Sequence, residues 1–246
     1  MAVAGLLVLG TVGCDDSVTG PVALDEEALL ADVAVVAADG MFEDLAHMES
    51  TAMWAGTGFG PQSVGIELEE SRTFTRTITF YDGAESEQEA YDPLNTARIH
   101  VESELTRKAT HTFWTADISR ERSMDITGLE GEETYRTWNG TGSSEVERSR
   151  YPDGGVEREY EMTGTAVIED VVRGVPMNEN PYPLGGTITR TMHVLVTVDG
   201  VTEERTILAV ITFDGSQYAT LTVNGEEFQV DLAERGLKGR LLRNNG

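Results

Sequence analysis

The sequence predicts a mainly β protein: one large antiparallel meander of about nine strands, forming a curved sheet or incomplete barrel, with one or two N-terminal helices. After about residue 65, apolar and polar side chains alternate with a period of two, as in half-buried strands. Asp-Gly and Asn-Gly dipeptides separate the alternating runs. A stretch with helical periodicity precedes them. No linker divides the β region, so residues 24–246 are expected to form a single β-rich domain with a helical segment at 25–53.

The helical segment is expected to begin at Asp25, because acidic residues are favourable at the positive end of a helix dipole. Ten of the eleven residues 28–38 are apolar, which predicts a largely buried helix over Asp25–Ala38. Asp39-Gly40 is expected to end it. A second short helix is expected over Phe42–Met53.

Alternation is clearest at Arg72–Tyr81, where Phe74, Ile78 and Phe80 point to one side and threonines to the other. A turn is expected near Thr110. Later hairpin turns are predicted at Pro152–Gly155, Asp199-Gly200, Asp214-Gly215 and Asn224-Gly225. They predict that four strands pair in order: Thr187–Val198, Val201–Phe213, Gln217–Val223 and Glu226–Leu232.

The composition is strongly acidic, with 43 acidic against 18 basic residues and a net charge of −25. Such a surface repels phosphate backbones, which excludes a nucleic-acid partner. Only Lys108 and Lys238 are lysines; the preference for arginine is interpreted as a compositional bias or an adaptation to salt and not as a site. The single cysteine excludes an internal disulfide.

The N-terminal sequence indicates an export signal. Ala2–Val12 is an uncharged apolar run, too short to span a bilayer but typical of a signal peptide. The sequence Thr11-Val12-Gly13-Cys14 resembles the lipobox of bacterial lipoproteins. It departs from the pattern at Thr11, where leucine is usual, and the basic segment expected before the apolar run is missing.

The resemblance implies that residues 1–13 are a signal peptide and that Cys14 is lipidated. Residues 14–23, which include Gly20-Pro21, then form a tether between lipid and domain. The protein is accordingly expected in the bacterial cell envelope, outside the cytoplasm, with the membrane as its partner through the lipid anchor. A protein or ligand partner is not indicated, and neither membrane is favoured.

Signatures of catalysis are missing from the sequence. The histidines are scattered without the spacing of a metal site. His100 and His111 would meet if a hairpin turn lay between them, but solvent-facing strand positions are the favoured interpretation. No serine lies in a G-x-S-x-G motif, and no glycine-rich loop precedes a helix. No catalytic residue and no cofactor are therefore predicted.

A loop rich in carboxylates is a candidate calcium site. Oxygen-rich loops bind Ca²⁺, but the spacing here does not fit an EF-hand, so a solvated acidic loop is favoured and no other metal site is predicted. The five carboxylates are Asp82, Glu85, Glu87, Glu89 and Asp92.

A patch of small residues is the other candidate site. Gly140 and Gly142 fall on one face of a strand, and pairing across the next turn sets them near Gly164, with Tyr135 and Trp138 beside them. Such a patch marks a bend or the close approach of another element. Packing under the N-terminal helix is favoured over a ligand pocket.

Three functional hypotheses follow. The leading one is a membrane-anchored, non-catalytic protein that acts by binding or as an envelope scaffold. The second is a carrier of lipid or another hydrophobic ligand, because helices over a curved sheet are similar in outline to periplasmic carriers of the Lol type. The third is an enzyme without a recognisable motif. An apolar cavity beneath the helix would distinguish the carrier from the scaffold.

Overall fold

The computed structural model describes residues 26–54, 72–129, 133–151, 156–176, 179–233 and 241–243. In these ranges one helix precedes eleven antiparallel strands that form a single sheet. The elements are α1 (Glu26–Trp54), β1 (Arg72–Asp82), β2 (Glu87–Gln88), β3 (Thr96–His111), β4 (Trp114–Thr127), β5 (Tyr135–Arg150), β6 (Arg158–Gly174), β7 (Gly185–Val198), β8 (Val201–Thr212), β9 (Tyr218–Val223), β10 (Glu226–Asp231) and β11 (Leu241–Arg243).

The sheet is an open meander in which β3 to β11 pair in chain order and β1 lies between β2 and β3. Nine strands have six residues or more, and the two short ones, β2 and β11, form the edges. The predicted fold class is therefore confirmed. The four strands predicted after residue 186 correspond to β7–β10, which pair in the expected order.

The two faces of the sheet differ in burial. In β4 every second residue from Ala116 to Ile126 is buried. Asp117, Ser119 and Glu121 lie between them on the other face and are exposed. We call the face buried against α1 the inner face and the other one the outer face. A single helix can cover the inner face of so many strands because a twisted sheet wraps around it.

Hairpin turns form at the dipeptides that predicted them. Asp199-Gly200 and Asn224-Gly225 both adopt positive φ angles at their two residues, as type I′ turns require. The turn expected near Thr110 lies slightly later, because β3 continues to His111 and β4 begins at Trp114. The turn at Pro152–Gly155 lies outside the described residues.

The predicted end of the helix at Asp39-Gly40 is wrong: α1 is continuous from Glu26 to Trp54. Glycine inside a helix costs about 1 kcal/mol relative to alanine. Here it makes room for Arg190 of β7, because a Cβ atom at Gly40 would lie 2.9 Å from the Arg190 guanidinium carbon. The glycine marks a close contact with the sheet and not a helix end.

The N-terminal half of α1 lies at the centre of the hydrophobic core. Val33, Ala34 and Ala37 are fully buried. The helix comes closest to β8 and β9, where the inner face presents Ala209 and Ala219. Small side chains on both elements therefore allow the close helix–sheet packing.

Candidate ligand-binding site

A row of carboxylates on α1 faces the sheet. Asp32, Asp39 and Glu43 are seven and four residues apart, which places them in one line along the helix. Inner-face positions of the central strands place arginines opposite this row. The arginines of this interface are Arg72, Arg107, Arg120, Arg122, Arg148, Arg150, Arg158, Arg173 and Arg190.

Asp44 forms the most deeply buried of these ion pairs. It is 2% exposed and accepts hydrogen bonds from Arg122, whose Nε lies 2.7 Å from Oδ1, and from Arg190. Arg122 also donates to the main-chain oxygens of Glu121 and Ser143. A carboxylate buried with two arginines is compensated, so its removal would leave two buried cations without a partner.

Asp32 forms a second buried pair near the start of α1. Its carboxylate lies 3.1 Å from Arg150 and 3.1 Å from Arg158, and it accepts a 2.6 Å hydrogen bond from the Tyr160 hydroxyl. Burial and this hydrogen bond raise the pKa of Tyr160. The N-terminal half of the helix is therefore attached to β5 and β6 by ion pairs and a hydrogen bond.

Two titratable groups of α1 have pKa values shifted by burial. Burial raises the pKa of Asp39 to about 6, although Arg148, Arg120 and Arg107 nearby oppose the shift. Burial lowers the pKa of His47 to about 4, and the positive charge of Arg76 adds to the shift. His47 is therefore a neutral imidazole at pH 7, and its Nδ1 lies 3.2 Å from the Ser103 hydroxyl.

A cavity of about 450 Å³ lies between the C-terminal half of α1, strands β1, β3 and β4, and the connection between β6 and β7. This volume is in the range of small-molecule pockets in proteins. Its apolar wall is formed by Phe42, Leu45, Phe74, Leu105 and Tyr182. The same cavity is also lined by charged groups, so it has an apolar and a polar part.

Arginines exceed carboxylates in this interface. Among the described residues, at least the nine arginines named above share this interface with the five carboxylates Asp32, Asp39, Glu43, Asp44 and Glu49. The interface is thus cationic in a chain whose net charge is −25.

Crowding of the cations is visible at the cavity wall. Burial, together with the positive charges of Arg190 and Arg122, lowers the pKa of Arg120 to about 9. Among the described residues, Nε of Arg120 and Nη2 of Arg122 are buried donors without an acceptor. Both residues line the cavity, so its wall offers more donors and more positive charge than the helix compensates.

Sequence reasoning missed this site because it attributed the arginines to composition. A signal was present: Arg120 and Arg122 occupy alternate positions of β4, which is otherwise apolar on that face, and Arg148 and Arg150 follow the buried Val146 at alternate positions of β5. Charged residues on a buried strand face need partners. The aligned carboxylates of α1 are the partners that these arginines need.

Gly140 and Gly142 make room for the main chain of β4 and for its inner-face side chains. A Cβ at Gly140 would lie 2.3 Å from the Ser123 oxygen, and one at Gly142 would lie 2.4 Å from the Arg122 guanidinium. Gly142 pairs with Ala166, and Ser144 pairs with Gly164.

The aromatic residues of the patch lie on opposite faces. Trp138 is fully buried, whereas Tyr135 is 54% exposed. None of the five patch residues lines the cavity under the helix.

Carboxylates of the candidate calcium loop make separate contacts. Asp82 accepts hydrogen bonds from the main-chain nitrogens of Ala84 and Ser86, and Glu85 pairs with Arg98. Glu87 lies in β2, and Asp92 accepts from the main-chain nitrogen of Leu94. No group of three or more His, Cys, Asp or Glu side chains within the described ranges is placed to hold a metal ion.

His100 and His111 lie on the same strand, β3, eleven residues apart, so the suggested meeting across a hairpin is wrong. His100 contacts Asp125 on β4 at 2.9 Å. His193 contacts Glu204 across the β7–β8 hairpin at 2.6 Å. Both contacts lie on the outer face.

Cys14, the apolar run before it and the tether lie outside the described residues. In the part of the chain that the structure describes, no helix combines the length and the apolar character needed to cross a membrane.

Comparison with known proteins gives no relative: no protein-family profile, no curated protein and no solved structure matches this chain.

Proposed function

We propose that the protein is a non-catalytic binding protein of the bacterial cell envelope, anchored through lipidated Cys14, that holds a ligand with an apolar body in the cavity under α1. The cavity of about 450 Å³ carries this proposal. A helix that only plugged the sheet would leave no such space. The cavity therefore favours the carrier hypothesis over the scaffold.

Ligand binding is tested with a neutral apolar probe such as N-phenyl-1-naphthylamine, whose fluorescence rises in an apolar site. Ala46 is exposed and lines the cavity, so Ala46→Trp should fill space there without overpacking the core. Probe binding should fall in this variant. It should remain in Glu27→Trp, an exposed change at the start of α1. Absent or equal binding in all three proteins would refute the proposal.

Anchoring is tested separately. The lipobox-like residues Thr11–Cys14 support lipidation. Cys14→Ala should abolish metabolic labelling with palmitate and leave the chain uncleaved or released from membranes. Unchanged labelling would contradict this part of the proposal.

A hydrolase is the second candidate, because the Ser103 hydroxyl and His47 are hydrogen-bonded at the cavity wall. Two features make it weaker. A histidine whose pKa is about 4 is a poor general base at neutral pH. Asp44, whose negative charge acts on His47, is held by two arginines. Hydrolysis of a p-nitrophenyl ester that is lost in Ser103→Ala would favour the enzyme.

A further inference from the structure

We infer that the ligand carries an anionic head group, and that this group binds Arg107 and Arg120 in the place now held by the carboxylate of Glu43. The inference rests on the proposed ligand-binding function and assigns the chemical class of the ligand. In this arrangement Glu43 occupies the head-group site when the cavity is empty.

Geometry at Glu43 matches that of an anion between two arginines. Its Oε1 lies 3.4 Å from Nη1 of Arg107, and its Oε2 contacts Nη1 of Arg120. A carboxylate or phosphate can bridge two guanidinium groups in the same way, with charge-assisted hydrogen bonds to each. The pair of arginines, from neighbouring strands, is thus a preformed anion site.

The apolar wall of the cavity begins directly at this anion site. Leu105 of β3 pairs with Arg120 of β4 and precedes Arg107 by two residues on the same face. All three line the cavity, together with Phe42 and Phe74. An amphipathic molecule could therefore place its head at the arginines and its apolar body along Leu105.

Glu43 is better placed to be displaced than the two deeply buried carboxylates of the helix. Its side chain is 20% exposed, whereas those of Asp32 and Asp44 are 7% and 3% exposed. A released Glu43 carboxylate can therefore enter water. The arginines, 13% and 4% exposed, would remain paired, now with the ligand.

Charge in the surroundings also favours an anion. The cavity wall includes Arg72, Arg122 and Arg173 in addition to the two arginines of the site. The unpaired donors on Arg120 and Arg122 add unused hydrogen-bonding capacity. Burial and neighbouring cations keep the pKa of Arg120 low, at about 9, so an added negative charge is favourable there.

The test compares a fluorescent long-chain fatty acid, 11-(dansylamino)undecanoic acid, with its neutral methyl ester. Wild type should bind the acid more tightly than the ester. Glu43→Gln removes the internal competitor and keeps the shape, so affinity for the acid should rise by about tenfold, with the ester unchanged. Arg107→Gln should lower the affinity for the acid to the affinity for the ester. Competition by dodecanoate against dodecyl phosphate then distinguishes a carboxylate from a phosphate head group.

Glu27→Gln is the matched control, since it changes the net charge by the same amount as Glu43→Gln, and Glu27 is exposed and does not line the cavity. Its ratio of acid to ester affinity should equal that of wild type. Equal binding of acid and ester in wild type, with no gain in Glu43→Gln, would overturn the inference but leave the proposed function intact. Failure of both probes to bind would overturn the proposed function itself.

Discussion

Asp39 and Asp44 are neighbouring carboxylates of α1, and the structure predicts opposite effects of the same substitution. Asp39→Asn and Asp44→Asn each replace a carboxylate with an amide of the same shape. Asp44 is paired with two buried arginines. Asp39 is held near Arg148, Arg120 and Arg107, but burial dominates and raises its pKa.

The magnitudes follow from these environments. The pKa of Asp39 rises from 3.8 to about 6, so its ionised form destabilises the fold by about 2 to 3 kcal/mol above pH 6. Asp39→Asn should therefore increase stability by up to that amount at pH 8. The gain should shrink as the pH falls from 6 to 4, because the native state then carries a protonated Asp39. Asp44→Asn should cost about 3 to 5 kcal/mol, because it leaves buried cations without a partner.

Urea unfolding followed by circular dichroism, at pH 8 and at pH 4.5, measures both effects. The expected order of stability at pH 8 is Asp39→Asn, then wild type, then Asp44→Asn. A destabilised Asp39→Asn at pH 8 would refute the claim that burial outweighs the arginines at this position. Equal losses in both variants would show that the interface responds only to total charge.

Three further variants test the core, the small-residue patch and the buried histidine. Val33→Asp buries a charge at a fully buried position. It should unfold the domain, since the cost of several kcal/mol is close to the total free energy of unfolding. A variant whose sheet stays folded and whose probe binding changes would instead show that the helix is a movable lid. Gly140→Ala should cost about 1 to 3 kcal/mol by urea unfolding because its Cβ meets main chain, whereas Gly185→Ala, with no atom within 4 Å of its Cβ, should be nearly neutral. Burial lowers the pKa of His47 from 6.5 to about 4, so between pH 6.5 and pH 4 the unfolded state binds a proton that the folded state does not, and the protein loses stability as the pH falls. His47→Gln should remove about 3 kcal/mol of this acid destabilisation. An unchanged dependence of stability on pH in this variant would contradict the burial of His47 as a neutral group.

The sheet was predictable because strands and hairpins are encoded locally. Alternation around Phe74 and the dipeptides Asp199-Gly200 and Asn224-Gly225 depend on neighbours in sequence, and they identified strand faces and pairing order correctly. The continuity of α1 was not predictable in this way. Gly40 reads as a helix end until the approach of Arg190, 150 residues later in the chain, is known.

The candidate site was hidden for the same reason. Its components come from α1, β1, β3, β4 and the connection after β6, so no local spacing unites them. The pairs of Glu43 with Arg107 and Arg120 join residues 64 and 77 positions apart. The glycine patch was recognised because Gly140 and Gly142 are neighbours on one strand, but sequence could not show that they accommodate side chains of β4.

The central claim, that the cavity under α1 holds an amphipathic ligand, is tested most directly by native mass spectrometry of the full chain purified from its own membrane. Wild type should carry a non-covalent adduct in addition to its covalent mass, and Ala46→Trp should lose it. The adduct should dissociate on activation in the gas phase, leaving the mass of the chain. Wild type that shows only its covalent mass, or an adduct that Ala46→Trp retains in full, would contradict the claim.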